Sequence, residues 1–236
     1  EVYDHSLDAL HSILEDAAKD KSAALGSNAQ KLGSFYGSCM DSARAEKLDA
    51  TPLAPELKRI AAITTPAMLQ GELERLQAIS VDLPFGVGTE PDFKNTKLTV
   101  AAMGQGGLGL PDRAYYLNDD AASVKLRDAY RAHVTRQMQL LGDSPAAAAS
   151  AATRILAFET SLAKAAMPLE KQREPKNIYH PITVDSLAKL APAVNWRRYF
   201  SDMGGRPQSS IVQWPESMKA LSGLGMAATP ATGRAH

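Results

Sequence analysis

The sequence has a single cysteine, Cys39, so no disulfide can close within the 236-residue chain, and cysteine usage leaves its redox compartment open. It has no surplus of charge. Its 26 Lys and Arg stand against 26 Asp and Glu, which excludes a global field that would draw in nucleic acid or an acidic partner. It has neither a basic arm nor an acidic tail. No apolar run approaches the ~20 residues that a membrane-spanning helix needs. The opening EVYDHSLDAL lacks an initial Met and the basic, then apolar, profile of a signal peptide; it reads as the inside of a longer protein or as a processed end. A close histidine pair is missing as well. Among His5, His11, His133, His180 and His236 no two lie at i, i+4, and His5 and His11 face different sides of a helix. That spacing excludes the two-histidine helix with which a zinc hydrolase activates water.

What is present is helical periodicity. Leu7, Leu10, Ile13, Leu14 and Ala17 form one stripe, and Leu32, Phe35, Tyr36, Cys39 and Met40 form a second. On that stripe Cys39 reads as a small buried hydrophobe. Ser27 and Gln30 make a capping-box pattern for the second helix. Thr51-Pro52, Thr65-Pro66 and Ser144-Pro145 each place a hydroxyl at an N-cap and a proline at N1. A long helix is expected over 121–141, with Leu126, Tyr130, Val134, Met138 and Leu141 inward and Gly142 as its stop. The Ala-rich run over 145–167 is another helix, and shorter ones follow at 183–190, 195–203 and 215–224. The acidic residues read as spread over solvated helix faces, without a convergent pair. One stretch differs. Two alternating runs joined by a polar turn, Pro91 to Asn95, predict a hairpin over 83–103. The fold class is therefore mainly α: a multi-helix domain with one small β-hairpin.

The segment GQGGLGLPDRAYYL contains a literal G-x-G-x-x-G at Gly104, Gly106 and Gly109. A dinucleotide fingerprint needs a strand before it, a pyrophosphate-binding helix after it, and an acidic strand end about 20 residues on. Here the glycines close a hairpin, and the stretch about 20 residues on falls within the long helix, near Asp128. They are better read as positions where the backbone takes positive φ or packs closely.

The longer string Gly107-Leu108-Gly109-Leu110-Pro111-Asp112-Arg113, followed by Tyr115-Tyr116, resembles the signature of the neprilysin-like zinc metallopeptidases, the neprilysin and endothelin-converting-enzyme family. Other segments are similar in the same order: Phe35-Tyr36 with Ser38 to Asp41, Thr51-Pro52-Leu53, Phe85 with Val87-Gly88, Asp92 with Lys94-Asn95, Tyr179 with Pro181 to Thr183, and Trp196 with Tyr199-Phe200. The resemblance covers residues 1–224, and 225–236 reads as a divergent or frayed tail. It implies the N-terminal helical region that closes a peptide chamber against a thermolysin-like catalytic domain. The motif residues Gly107, Gly109, Pro111, Asp112, Arg113, Tyr115 and Tyr116 are then structural, with no catalytic, metal or cofactor residue in this chain. Zinc, peptide substrates and the HExxH motif would belong to the full-length enzyme, whose C-terminal domain is the implied partner. A periplasmic, cell-envelope or secreted location is implied too. Tyr3 stands where the family has an arginine. Incompleteness implies exposed apolar faces on the first helix, Leu7 to Ala17, and on the last, Met218 to Leu224. The alternative is a stand-alone helical module, derived from such a peptidase, that binds peptides or proteins without cleaving them.

Overall fold

The structure, a computed structural model, describes residues 2–207 and 209–224, so the tail expected over 225–236 lies outside the described residues. The chain divides into two compact units, one up to Ala54 and one from Pro55 onward.

The first unit holds α1 (Val2–Lys19), α2 (Asn28–Met40), α3 (Ser42–Leu48) and a 3-10 turn, Thr51–Leu53. Ser27 caps α2 as expected, its Oγ accepting the Gln30 N–H at 3.2 Å. The reciprocal half of the box is not made: Gln30 Oε1 accepts the Gly26 N–H at 3.1 Å instead. Gly33, the buried residue of α2, faces α1, and a Cβ there would collide with the Ala17 carbonyl. The glycine thus sets how closely the two helices approach. The stripes are helical but not buried. Leu10 is 57% exposed and Phe35 74%, and Cys39 is exposed rather than buried. Two packed helices cover only the seam between them, so the flanks of each stripe stay outside. Thr51 is not an N-cap either. Asp49, at φ +49°, turns the chain so that Ala50 takes that place, without a side-chain bond.

The second unit begins within α4 (Ala54–Ala61) and continues with α5 (Pro66–Ala78), β1 (Phe85–Pro91), β2 (Thr99–Gln105), α6 (Ala114–Leu117), α7 (Ala121–Leu140) and α8 (Pro145–Ala165). It ends with α9 (Leu169–Gln172), α10 (Pro175–Ile178), β3 (Pro181–Thr183), α11 (Val184–Leu190), α12 (Trp196–Asp202), β4 (Ser209–Val212) and α13 (Pro215–Leu224). Thr65 and Ser144 act as N-caps for α5 and α8, and Gly142 takes φ +102° after α7. The predicted hairpin forms in register, from Phe85 opposite Gln105 to Pro91 opposite Thr99. Asp92 Oδ1 closes its turn by accepting the N–H groups of Lys94 at 2.7 Å and Asn95 at 3.1 Å. Two short strands extend it into a four-stranded sheet, order β1-β2-β4-β3, with β4 parallel to β2 and antiparallel to β3.

The core of this unit forms where the sheet meets α11, α12 and α13. Phe85, Trp196 and Tyr199 meet mutually with ring centroids 5.6 Å apart, and Trp196 Nε1 donates to the Ala191 carbonyl at 2.9 Å. Met218 and Leu221 are 1% and 4% exposed in the same cluster. This corrects the expectation of an exposed last helix: α13 has its partners inside the unit. On α7, Tyr130, Val134 and Met138 pack inward, but Leu126 and Leu141 lie on the exposed flank. α7 is covered mainly from the α8 side, so a stripe of that width is only partly buried.

Candidate functional site

The glycine-rich segment after β2 is a tightly fixed turn. Gly107 takes φ +77°, and a Cβ there would sit 2.6 Å from Pro84 Cα, so both the conformation and the space call for glycine. Gly109 lies against the Tyr130 ring, where a Cβ would overlap the hydroxyl. Gln105, just before the turn, is held by Met167: its Oε1 accepts the Met167 N–H at 2.6 Å and its Nε2 donates to the Met167 carbonyl at 3.2 Å.

The residues after the turn are tied down in sequence. Pro111 leads into Asp112, whose Oδ1 accepts the Ala114 N–H at 2.7 Å. Arg113 Nε donates to the Ala163 carbonyl at 3.0 Å, in the last turn of α8, where a cation meets the carbonyl-rich end of the helix. Tyr115 is partly exposed, and its carbonyl accepts from Arg127 at 2.8 Å. Tyr116 is buried. Its hydroxyl accepts the Leu110 N–H at 2.8 Å and donates to Glu159 Oε2 at 2.7 Å, while Tyr130 donates to Glu159 Oε1 at 2.9 Å.

Glu159 is the residue that the sequence reading passed over. It is 8% exposed on α8, and both of its oxygens accept from phenols. Burial first, and the bonds to Glu159 second, push both tyrosine hydroxyls well above their ordinary pKa. Both phenols therefore stay protonated across the physiological range and remain donors. The cluster is a clasp that holds the 107–113 turn onto α7 and α8, and neither phenol is poised as a base. Its only sequence signal was the i, i+4 relation of Glu159 to Ile155 and Ala163 on the inward face of α8.

Beside the turn runs an apolar groove with a cavity volume of ≈ 1510 Å³. Leu69, Leu73 and Leu76 of α5 line one side, Phe158 and Leu162 of α8 another, and Phe85 to Val87 of β1 and residues 105–113 also border it. α5 is fixed from the other side. Gln70 accepts the Asn195 N–H at 2.9 Å and donates to Glu74 Oε1 at 2.6 Å. Glu74 is 6% exposed, and burial raises its carboxyl pKa despite the Gln70 bond and Arg198 at 3.5 Å.

His5, His11 and His133 are exposed, His180 is bound to the Val212 carbonyl at 3.1 Å, and His236 lies outside the described residues. Among the described residues no three His, Cys, Asp or Glu side chains converge as a metal set.

The model of Peptidase family M13 matches residues 1–233. Endothelin-converting enzyme 1 of Homo sapiens is 33% identical over 192 residues, covering 78% of this chain and 25% of its own length. Neprilysin-3 of Drosophila melanogaster is 30% identical over 233 residues, covering 91% of this chain and 29% of its own. The Mycobacterium tuberculosis zinc metalloprotease ZMP1, solved with an inhibitor, superposes with a TM-score of 0.89 at 26% identity, over 99% of this chain and 36% of that one. PEPO from Lactobacillus rhamnosis, at 17% identity and TM-score 0.80, shares the fold. The chain thus spans about a quarter to a third of the proteins it resembles. It belongs to peptidase family M13, as an N-terminal, neprilysin-like region.

Proposed function

We propose, from that family membership, that the chain forms the helical part of a zinc metalloendopeptidase that encloses the peptide-substrate chamber, and that the zinc chemistry resides in a separate catalytic domain. The observation that carries this reading is collinearity: one match runs over residues 1–233, and nearly the whole chain superposes on about a third of a zinc metalloprotease. The internal chemistry of the chain supports a wall role. Glu159 accepts from two tyrosines, Arg113 Nε donates to a helix end, and Gly107 and Gly109 are closely packed. Each of these interactions fixes shape. In the whole enzyme a zinc ion would supply an activated water, and this chain's residues would position and enclose the peptide.

The test measures the chain alone. Zinc content after dialysis and cleavage of a peptide substrate should both be negligible, and an HExxH-bearing continuation should follow in the same reading frame. One tightly held zinc per chain with chelator-sensitive cleavage would overturn the reading. The stand-alone binding module is favoured by one observation, the self-contained core of the second unit, with Trp196, Tyr199 and Met218 each no more than 1% exposed. A stop codon just past His236 in the native gene would select it.

A further inference from the structure

Helix α5 carries two stripes. Leu69, Leu73 and Leu76 repeat at i, i+4 and i+7, and so do Gln70, Glu74 and Gln77. The polar stripe therefore runs beside the apolar one, about a quarter of a turn round the helix. The leucines line the apolar groove, while the polar stripe meets α12.

Each polar residue has its partner on α12 or at the N-cap of α12. Gln70 grips the Asn195 backbone at two points, accepting its N–H at 2.9 Å and donating to its carbonyl at 3.2 Å. Gln77 accepts from the Tyr199 hydroxyl. Between these neutral rungs sits Glu74, with Gln70 Nε2 donating to its Oε1 at 2.6 Å, Arg198 Nη2 at 3.5 Å, and the Asp202 carboxyl within hydrogen-bonding reach. Arg198 is already engaged by Asp202, Nε to Oδ2 at 3.1 Å. Gly71 leaves room for that guanidinium, since a Cβ there would stand 3.1 Å from Nη2. One cation is thus shared by two carboxyls, and one of the two is enclosed.

Protonated, Glu74 closes the seam: it accepts from Gln70 and donates to Asp202, leaving one carboxylate for one guanidinium. Ionised, it sets a second negative charge against Asp202 in a place where burial already disfavours charge. We propose that Glu74 is a proton-operated latch of the α5–α12 seam, whose ionisation loosens α5 from α12 and shifts the leucine wall of the groove. The charged and titratable groups facing Glu74 are Arg198 and Asp202 of α12, with the Tyr199 hydroxyl nearby. Burial keeps Tyr199 protonated and Arg198 stays charged, so of these groups the two carboxyls alone titrate between acid and neutral pH. Both stripes belong to one helix, so a seam that gives way on the polar side moves the leucines too. Leu69 and Leu73 also rest on the core cluster, which limits the motion to a shift. The latch acts on the groove whatever occupies it, and it is independent of where the zinc chemistry resides.

The test places spin labels at Ala78→Cys on α5 and Thr153→Cys on α8, both exposed, in the 236-residue chain carrying Cys39→Ser. Pulsed electron resonance reads their separation over a pH series that starts near the ordinary glutamate pKa of about 4.3 and ends near neutrality. Circular dichroism confirms the fold at each pH. The expected result is a narrow distance at the acid end that lengthens by roughly 2 Å, the scale of helix shifts at packed seams, with a midpoint above the ordinary glutamate value. Glu74→Gln, neutral at every pH, should hold the short distance throughout. Asp202→Asn removes the repelling charge and should move the midpoint to lower pH, a shift that a merely structural contact would not give. An unchanged distance in the parent chain overturns the proposal, as does a pH response that survives in Glu74→Gln. Should Glu74→Gln fail to fold, the Asp202→Asn midpoint decides alone, and an unshifted midpoint overturns the latch.

Discussion

The two units were read from the same kind of pattern and came out differently. In the first, α1 runs for 18 residues without one buried position, and α2 buries only Gly33. In the second, α8 is 21 residues long and buries seven, among them Ile155, Glu159 and Leu162. Both helices carry an apolar stripe. What differs is the number of neighbours: α8 packs against α6, α7 and α13, whereas within its unit α1 has α2. Periodicity declares which face a helix can bury, and burial itself depends on how many elements converge on that face.

The largest expected effect contrasts the two cores directly. Trp196→Ala should cost about 3–5 kcal/mol of stability in urea unfolding, because the ring is fully enclosed and hydrogen-bonded. Leu10→Ala should stay within about 0.5 kcal/mol, as for other exposed positions. A large loss at Leu10 would show that the first unit is stabilised by a face not visible in its own packing.

Glu159→Ala should cost about 2–3 kcal/mol by leaving two buried phenol donors unpaired, and Glu159→Gln should cost less. If Glu159→Ala is neutral, the clasp is not what fixes the 107–113 turn. Gly33→Ala tests the first unit on its own terms. A methyl against the Ala17 carbonyl should loosen the α1–α2 seam by about 1–3 kcal/mol, seen as faster amide exchange in those helices with exchange in α8 unchanged. A smaller effect comes from Glu74. Its carboxyl pKa is raised in the folded state, so the fold holds that proton more tightly than the unfolded chain does. Its stabilisation is full below the ordinary glutamate pKa and is lost as pH rises through the raised value. Glu74→Gln should flatten the stability profile across that window, measured by denaturation at a series of pH values; an unchanged profile would contradict the assignment. Least of all, Phe35→Ser should leave the melt of the second unit unmoved and raise solubility, since that ring is 74% exposed.

Local chemistry was readable wherever it involved neighbours in sequence. Ser27, Thr65 and Ser144 cap their helices because a hydroxyl reaches the N–H three residues on, whatever the rest of the molecule does. The hairpin followed from alternation and its polar turn, and its register, Phe85 opposite Gln105, came only with the structure. β3 and β4 were not legible, because three or four residues cannot show a period and their pairing joins positions far apart in the chain. The clasp stayed hidden for the same reason. Tyr116 and Glu159 are 43 residues apart, and a glutamate on a long helix looks solvated until another helix covers it.

The sequence by itself determined the helices, their caps, the hairpin and, through collinear motifs, the family. Those features depend on short-range backbone preferences and on residues met in order along the chain. Only the tertiary structure decided which apolar stripes are covered, that Cys39 faces solvent, that Glu159 is enclosed by two tyrosines, and that β1 is the outermost strand of the described sheet, beside a groove. Burial and edge pairing are properties of what lies across a contact, and that information belongs to the folded arrangement of distant segments.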